Sequence, residues 1–286
     1  MSPPVSLIGA SWRAGRFEAW SFDDEGEVLG TFARDGAADQ GGVLQDMTRA
    51  LITEWLGSSE KAPVIVCGET PGGAGKLLQV PALLSDLYDA LTDLDGIHVV
   101  PGLRQLSPPD ILQGQEVQLL GLGQLSGAIC LPGRHTKHVA LEQGRVLDFS
   151  TEMTGEIQEL LLSQGSLRVP AGIEPRFDAG IFRDWVERSL DTDDAASPFA
   201  VSAARLIGVL RPEHQITALS GLLIGADVAA HYDPGDDVIL VADGELAKAY
   251  GMALDALGAS VEEYSAEEAM QDGLFDIAEE AGLLDT

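Results

Sequence analysis

Apolar and polar positions follow two different periods along the chain, and the places where the period changes divide it into elements. Near the start, "VSLIGASW" (5–12) reads as a strand, "RAG" as a turn and "RFEAWSF" (16–22) as a second strand with partial alternation. "DDEGE" supplies another turn before a third strand, "VLGTFAR" (28–34). In "GGVLQDMTRALITEWLG" (41–57) the apolar residues Val43, Leu44, Met47, Leu51, Ile52 and Trp55 fall at helical spacing. The apolar run "APVIVCG" (62–68) then predicts a buried strand, so this part runs βββαβ.

A similar order returns further on. "GAICLPG" (127–133) and "HTKHVALEQGRVLDFSTE" (135–152) give three strands around a Pro-Gly turn and an "EQG" turn. "MTGEIQELLLSQG" (153–165) predicts a helix capped by its Thr. Helices are predicted over "SAARLIGVL" (202–210) and "HQITALSGLLIGADVAAHY" (214–232). A strand, "DVILVADG" (237–244), then leads into the helix "ELAKAYGMALDALG" (245–258). The chain reads as two similar α/β halves, residues 1–104 and 105–286. Two α/β lobes, each opened by a β-meander, are the arrangement of the actin-like ATPases and sugar kinases.

Composition narrows the partners. With 17 Lys and Arg against 46 Asp and Glu the formal net charge is −29, which disfavours nucleic acid and anionic membrane surfaces. A salt-adapted surface is the plain account of that charge, and hydrophobic residues at 45% still support real cores. The N-terminus lacks a basic region before its apolar stretch, and no apolar run is long enough to span a bilayer. Cys67 and Cys130 each end a buried-looking strand and read as core residues, so a cytoplasmic protein is expected.

Against this acidity one segment stands out. In "CLPGRHTKHVAL" the residues Arg134, His135, Lys137 and His138 fall within five positions, just after a Pro-Gly turn. Exposed backbone N–H groups with adjacent cations suit a phosphate or carboxylate, and a solvated hairpin is the alternative. Two His at this spacing do not make a zinc site. "CGETPGGAGKL" fails the Walker A pattern, since Thr70 takes the first Gly position and Leu77 follows Lys76. It remains a glycine-rich turn suited to close backbone approach. In "QGQEVQLLG", Glu116 can serve as a general base for a hydroxyl group or stabilise a helix start through its dipole.

Taken together, "PGL" (101–103), "QGQEVQLLG", "LPGRHTKHV", "DFSTEMTGEIQELLL" and "LSGLLIGADVAA" resemble, in order and spacing, the 2-dehydro-3-deoxygalactonokinase family. The resemblance implies a two-lobed actin-like ATPase and sugar-kinase fold with ribonuclease H-like lobes. It implies a cleft between the lobes for ATP and a 2-keto-3-deoxy sugar acid, with Mg²⁺ as cofactor, and leaves a homo-oligomer open. Carried over by position, Gly133, His135 and Lys137 match a phosphate hairpin, while Arg134 replaces its Thr and His138 its Trp. Glu116 becomes the candidate base. Gly68, Gly72, Gly75 and Gln118 fall to the sugar acid, and Gly221, Gly225, Asp243 and Gly244 to the nucleotide.

The departures cluster at phosphate-handling positions. Where the family's first hairpin has a metal-facing Asp, this chain reads Ser11, Trp12, Arg13, Ala14, Gly15, Arg16. Ser11, Arg13 and Arg16 are thus expected to face phosphate without a metal ligand, and the ligand itself stays unassigned. Gln113, Gln115 and Val117 replace an Arg, an acid and a Thr in the motif around Glu116. The resemblance therefore implies either a sugar-acid kinase or a pseudokinase that binds a sugar acid or another anion without transferring phosphate.

Overall fold

The computed structural model describes residues 3–13, 15–37, 42–57, 61–164, 167–168, 172–190 and 197–284, and Ala14 of the first expected turn lies outside them. In chain order the elements begin with β1 (Leu7–Arg13), β2 (Arg16–Phe22), β3 (Val28–Arg34), α1 (Leu44–Leu56) and β4 (Val64–Gly68). Shorter pieces follow: β5 (Leu77–Gln79), β6 (Ala82–Leu83), α2 (Asp86–Asp89), β7 (Thr92–Leu94), β8 (Ile97–Val99), β9 (Gly102–Leu106), β10 (Pro109–Leu112) and α3 (Gln115–Gly121). Next come β11 (Gly127–Leu131), β12 (Thr136–Glu142), β13 (Arg145–Glu152), α4 (Thr154–Gln164), α5 (Ala179–Leu190), α6 (Pro198–Leu206) and α7 (Gln215–His231). The last are β14 (Asp237–Val241), α8 (Gly244–Leu257), β15 (Ser260–Tyr264) and α9 (Ala266–Glu280).

Contacts divide the chain into two compact units. The first takes everything up to Ser126, then Ala140–Phe149 and the chain from Ala266 on; the second takes Gly127–Val139 and Ser150–Ser265. Residues 104 and 105 sit within β9, inside the first unit.

In the first unit the expected meander forms with β2 and β3 at their predicted bounds, and β1 pairs antiparallel with β2 and parallel with β4. The sheet order is β3-β2-β1-β4-β8-β7, and β10-β9-β5 make a separate small sheet. Trp12, Phe17, Val66 and Val99 from the sheet pack with Leu51 and Ile52 of α1, which is the face its spacing predicted. α9 returns to this unit: it buries Ala269, Met270, Leu274 and Ile277 and packs on α3.

In the second unit β11, β14 and β15 run parallel, and β12 lies next to β11. The β12–β13 turn places Gln143 and Gly144 at φ 49° and 71°, the positive values a tight hairpin needs, as "EQG" predicted. The core joins Cys130, Val238 and Leu240 to Phe182, Val228, Tyr250 and Leu254 from the helices. α6 begins at Pro198, earlier than expected, because proline suits a first helical position. It ends before Gly208 at φ 79°, leaving Leu206, Ile207 and Val209 of the predicted helix largely exposed.

Candidate functional site

Ser11, on β1, is only 1% exposed, and its register partner is Cys67 on β4. Burial, and then the negative charge of Glu116, push the Cys67 thiol up to about 12. A buried hydroxyl beside a buried thiol thus stands at the position where the family resemblance expects a metal-facing acid. Arg13 is exposed. Arg16 is engaged by Glu18 at 2.8 Å and Asp35 at 2.6 Å, so its charge is already met. Magnesium selects hard oxygen donors, usually with at least one carboxylate, and a buried serine hydroxyl does not fit that requirement. Glu69 is an exposed carboxylate beside the hairpin, and its backbone N–H donates to the Trp12 carbonyl at 2.7 Å.

Two glycines hold the centre of this unit together. Gly68 ends β4 at φ 96°, where a Cβ would collide with the Trp12 carbonyl oxygen. Gly114, at φ 101°, has space for a side chain blocked by Gly68 Cα at 3.2 Å. This close approach starts α3 directly behind β4. Both Glu116 carboxylate oxygens accept the Gly114 N–H, at 2.8 and 2.7 Å, and the residue is fully buried. Gln118 is buried too, and its amide donates to the Ala266 carbonyl at 2.8 Å. Gly72 and Gly75 lie on the exposed turn after Gly68, at φ 79° and 110°. The turn is braced from within by the Thr70 hydroxyl, which donates to the Ala74 carbonyl.

In the second unit the basic turn has acidic partners. Arg134 pairs with Glu156 at 3.0 Å and Glu159 at 3.3 Å, and His135 Nε2 meets Glu156 at 2.5 Å. The His135 hydrogen bond chiefly, with help from Arg134, holds the Glu156 carboxyl below its usual range. Lys137, buried on β12, donates to Thr151 Oγ1 at 2.7 Å. The turn also rests on the start of α4. The Glu156 N–H donates to the Arg134 carbonyl at 3.0 Å, and a Cβ on Gly155 would meet Gly133 O at 2.7 Å.

Behind the turn lies a buried polar cluster that sequence reasoning did not single out. Asp227, 5% exposed in the middle of α7, accepts His138 Nε2–H at 2.6 Å on Oδ1. Its Oδ2 accepts Thr154 Oγ1–H at 2.6 Å and Tyr250 Oη–H at 2.5 Å. With its own proton given to Asp227, Tyr250 is an acceptor for the Thr136 hydroxyl at 2.7 Å. His138 Nδ1 meets Tyr232 Oη at 2.8 Å. Burial works to raise the Asp227 carboxyl, but His138, Thr154 and Tyr250 outweigh it and hold it ionised below its ordinary value. The Thr154 hydroxyl, expected as a helix cap, serves Asp227 instead. The one readable signal was a single carboxylate inside the apolar "LSGLLIGADVAA".

His138, Asp227 and His231 bring one ligand-type atom each within 4.8 Å of one another. Imidazole lone pairs lie in the ring plane, and the two rings are parallel to within 11° with centroids 3.7 Å apart. Stacked in this way they cannot converge on one ion, and the Asp227 oxygens already carry O–H and N–H donors. The cluster is a hydrogen-bonded brace rather than a metal centre.

Beside the brace a cavity of about 210 Å³ opens, walled by Thr154, Gly155, Phe182, Ile224, Leu246 and Tyr250 and touching Gly133. It is smaller than the roughly 300–1,000 Å³ of drug-sized clefts, which suits one flat ring system rather than a whole nucleotide. Of the residues assigned to the nucleotide, Gly221 and Gly225 do not line it. They let α7 approach α5: a Cβ at Gly225 would strike Ser189 Oγ and come within 2.9 Å of Val186 Cα. Asp243 and Gly244, at the start of α8, are exposed one residue before the cavity wall at Glu245 and Leu246.

The mixed sheets with parallel central strands and the opening meander are the fold of the actin-like ATPases and sugar kinases. The activator of 2-hydroxyisocaproyl-CoA dehydratase from Clostridium difficile, solved with ADPNP, matches it with a TM-score of 0.51 at 10% identity, over 96% of this chain and 95% of that one. Within that fold the chain belongs to the 2-keto-3-deoxy-galactonokinase family, which residues 11–277 match. It is 32% identical to 2-dehydro-3-deoxygalactonokinase of Escherichia coli (strain K12) over 292 residues, 95% of this chain and 97% of that protein. The crystal structure of a candidate 2-dehydro-3-deoxygalactonokinase from Sinorhizobium meliloti is similar with a TM-score of 0.84 and 30% identity, covering 95% and 98% of the two chains. Among the described residues, no helix is long and apolar enough to cross a membrane.

Proposed function

We propose that the protein is a kinase that transfers the terminal phosphoryl group of ATP to a hydroxyl of a 2-keto-3-deoxy sugar acid such as 2-keto-3-deoxygalactonate. The observation that carries this reading is the cavity of the second unit. In a chain 32% identical to the Escherichia coli enzyme, that cavity abuts both the Gly133 turn and the start of α4. The base of the nucleotide occupies it, and its phosphates lie toward the backbone of the turn and Lys137. The Gly68–Gly75 turn takes the sugar acid, with Gln118 supporting α3 from behind. In the transfer the sugar oxygen bonds to the terminal phosphorus, the bond to the ADP oxygen breaks, and Glu116 accepts the hydroxyl proton. Both Glu116 oxygens face the Gly114 N–H, so reaching a substrate takes a rotation of its side chain.

The burial of Ser11 favours a second reading, a relative that binds the sugar acid or another anion without transfer. One assay separates the two: ADP release from saturating ATP and Mg²⁺ with 2-keto-3-deoxygalactonate. Turnover dependent on the sugar acid supports the kinase, and its absence leaves the binding protein. ATP calorimetry with and without Mg²⁺ adds the metal's role. A strong dependence means that the ion takes part in nucleotide binding, and Glu69→Gln then tests that exposed carboxylate as its ligand.

A further inference from the structure

We propose that Asp227 is the positioning residue of the nucleotide pocket, fixing walls that come from different helices without itself touching the ligand. This rests on the reading that the second unit takes the nucleotide. Thr154 and Tyr250 both line the cavity, on α4 and α8, and both donate to the same oxygen, Asp227 Oδ2. His138 and Thr136 bring in β12, the strand that leaves the basic turn, through Oδ1 and through Tyr250 Oη. One carboxylate on α7 therefore ties α4, α8 and β12 together around the cavity.

Chemistry explains why a charge is kept there. A buried carboxylate is expensive unless it is hydrogen-bonded, and here three side-chain donors meet it. Each of those donors loses its partner if the carboxylate is lost. A neutral amide offers one acceptor oxygen and two protons where three donors converge, so Asp227→Asn obliges at least one of the three to reverse its donor role or lose its partner. Two of the three donors, Thr154 and Tyr250, are cavity wall, and both hang on the same oxygen. Positioning of the wall is thus a property of the carboxylate, distinct from the apolar packing of α5 on α7.

The test is calorimetry with ATP and with ADP on Asp227→Asn, Tyr250→Phe, Thr154→Val and the double variant Asp227→Asn with Tyr250→Phe. Ser189→Ala, buried in the α5–α7 packing and outside the brace, is the control. All are measured well below their melting temperatures. The expected result is about a tenfold rise in Kd for Asp227→Asn and a smaller rise for each single wall variant. The double variant should be no weaker than Asp227→Asn, because both changes act through one path. The control should lose stability and keep its Kd. Parental affinity in Asp227→Asn, additive losses in the double variant, or an equal loss in Ser189→Ala would each overturn the proposal. If Asp227→Asn does not fold, unchanged affinity in both Tyr250→Phe and Thr154→Val overturns it, and a loss confined to those two supports it. A parent that binds neither nucleotide sinks the nucleotide reading first, and this inference with it.

Discussion

The imidazoles of His138 and His231 lie face to face, 3.7 Å between centroids and 11° between planes. Two parallel rings at that distance cannot comfortably carry two positive charges. Asp227 and Tyr232 flank His138, with Tyr250 and Cys130 behind them; Glu152 and Ser150 flank His231. Burial first, and the charge of His138 second, lower the pKa of His231 below its ordinary 6.5, with Glu152 opposing.

The sign follows from linkage. A group whose folded pKa is depressed contributes stability fully above its unfolded value and loses it as pH falls through the folded value. The His231 contribution is thus intact above about pH 6.5 and fades below it. Asp227, also depressed, holds until pH falls below about 4. Melting temperatures from pH 8 to pH 5 should fall in the parent and fall less in His231→Gln. Parallel curves for the two proteins would dissociate the acid sensitivity from the stack.

Gly225→Ala should cost roughly 1–3 kcal/mol, because the added methyl meets Ser189 Oγ and the Val186 backbone with no space to accept it. Urea unfolding measures it. Gly244→Ala is the contrast: nothing lies within 4 Å of the new Cβ, but its φ of 60° strains an alanine by about 1 kcal/mol. These two glycines, both first assigned to the nucleotide, therefore differ in kind: one separates helices, the other shapes a turn.

Local features were legible in the sequence, and long-range pairings were not. β2, β3 and β13 fall where alternation and glycine turns put them, since both signals span only a few residues. β5 to β8 are two or three residues long, too short for a period to register. The basic turn was plain in the text, but its neutralisation by Glu156 and Glu159 depends on how α4 folds back on it. Asp227 and His138 lie 89 positions apart, and nothing local joins them. The glycines that pack α5 on α7 carry the same letters as ligand-binding glycines, so only the fold tells the two roles apart.

The basic turn should bind anions better once its internal acid is neutralised. Repulsion among Arg134, His135 and Lys137 does not call for an external anion, because Glu156 already serves the first two. Phosphate should therefore raise the parent's melting temperature only slightly, and that of Glu156→Gln clearly more. Adding Arg134→Ala and Lys137→Ala should erase the gain. Equal phosphate protection in parent and Glu156→Gln would mean that the carboxylate does not compete for the site.

Glu116 is the sharpest test of the chemistry. Its neighbours Gln113, Gln115 and Gln118 cannot take a proton at neutral pH, so the motif offers one candidate base. Glutamine at 116 keeps the size and one acceptor oxygen for the Gly114 N–H, so α3 should still start where it does. Glu116→Gln is expected to lower turnover about a hundredfold or more, with the KM for the sugar acid little changed. A base also leaves a mark in pH: the parent's turnover should fall on the acid side as the carboxylate protonates, and the residual activity of the variant should lack that limb. Should the variant turn over like the parent while melting several degrees lower, the carboxylate is a helix-start residue. The proton would then have to leave by another route.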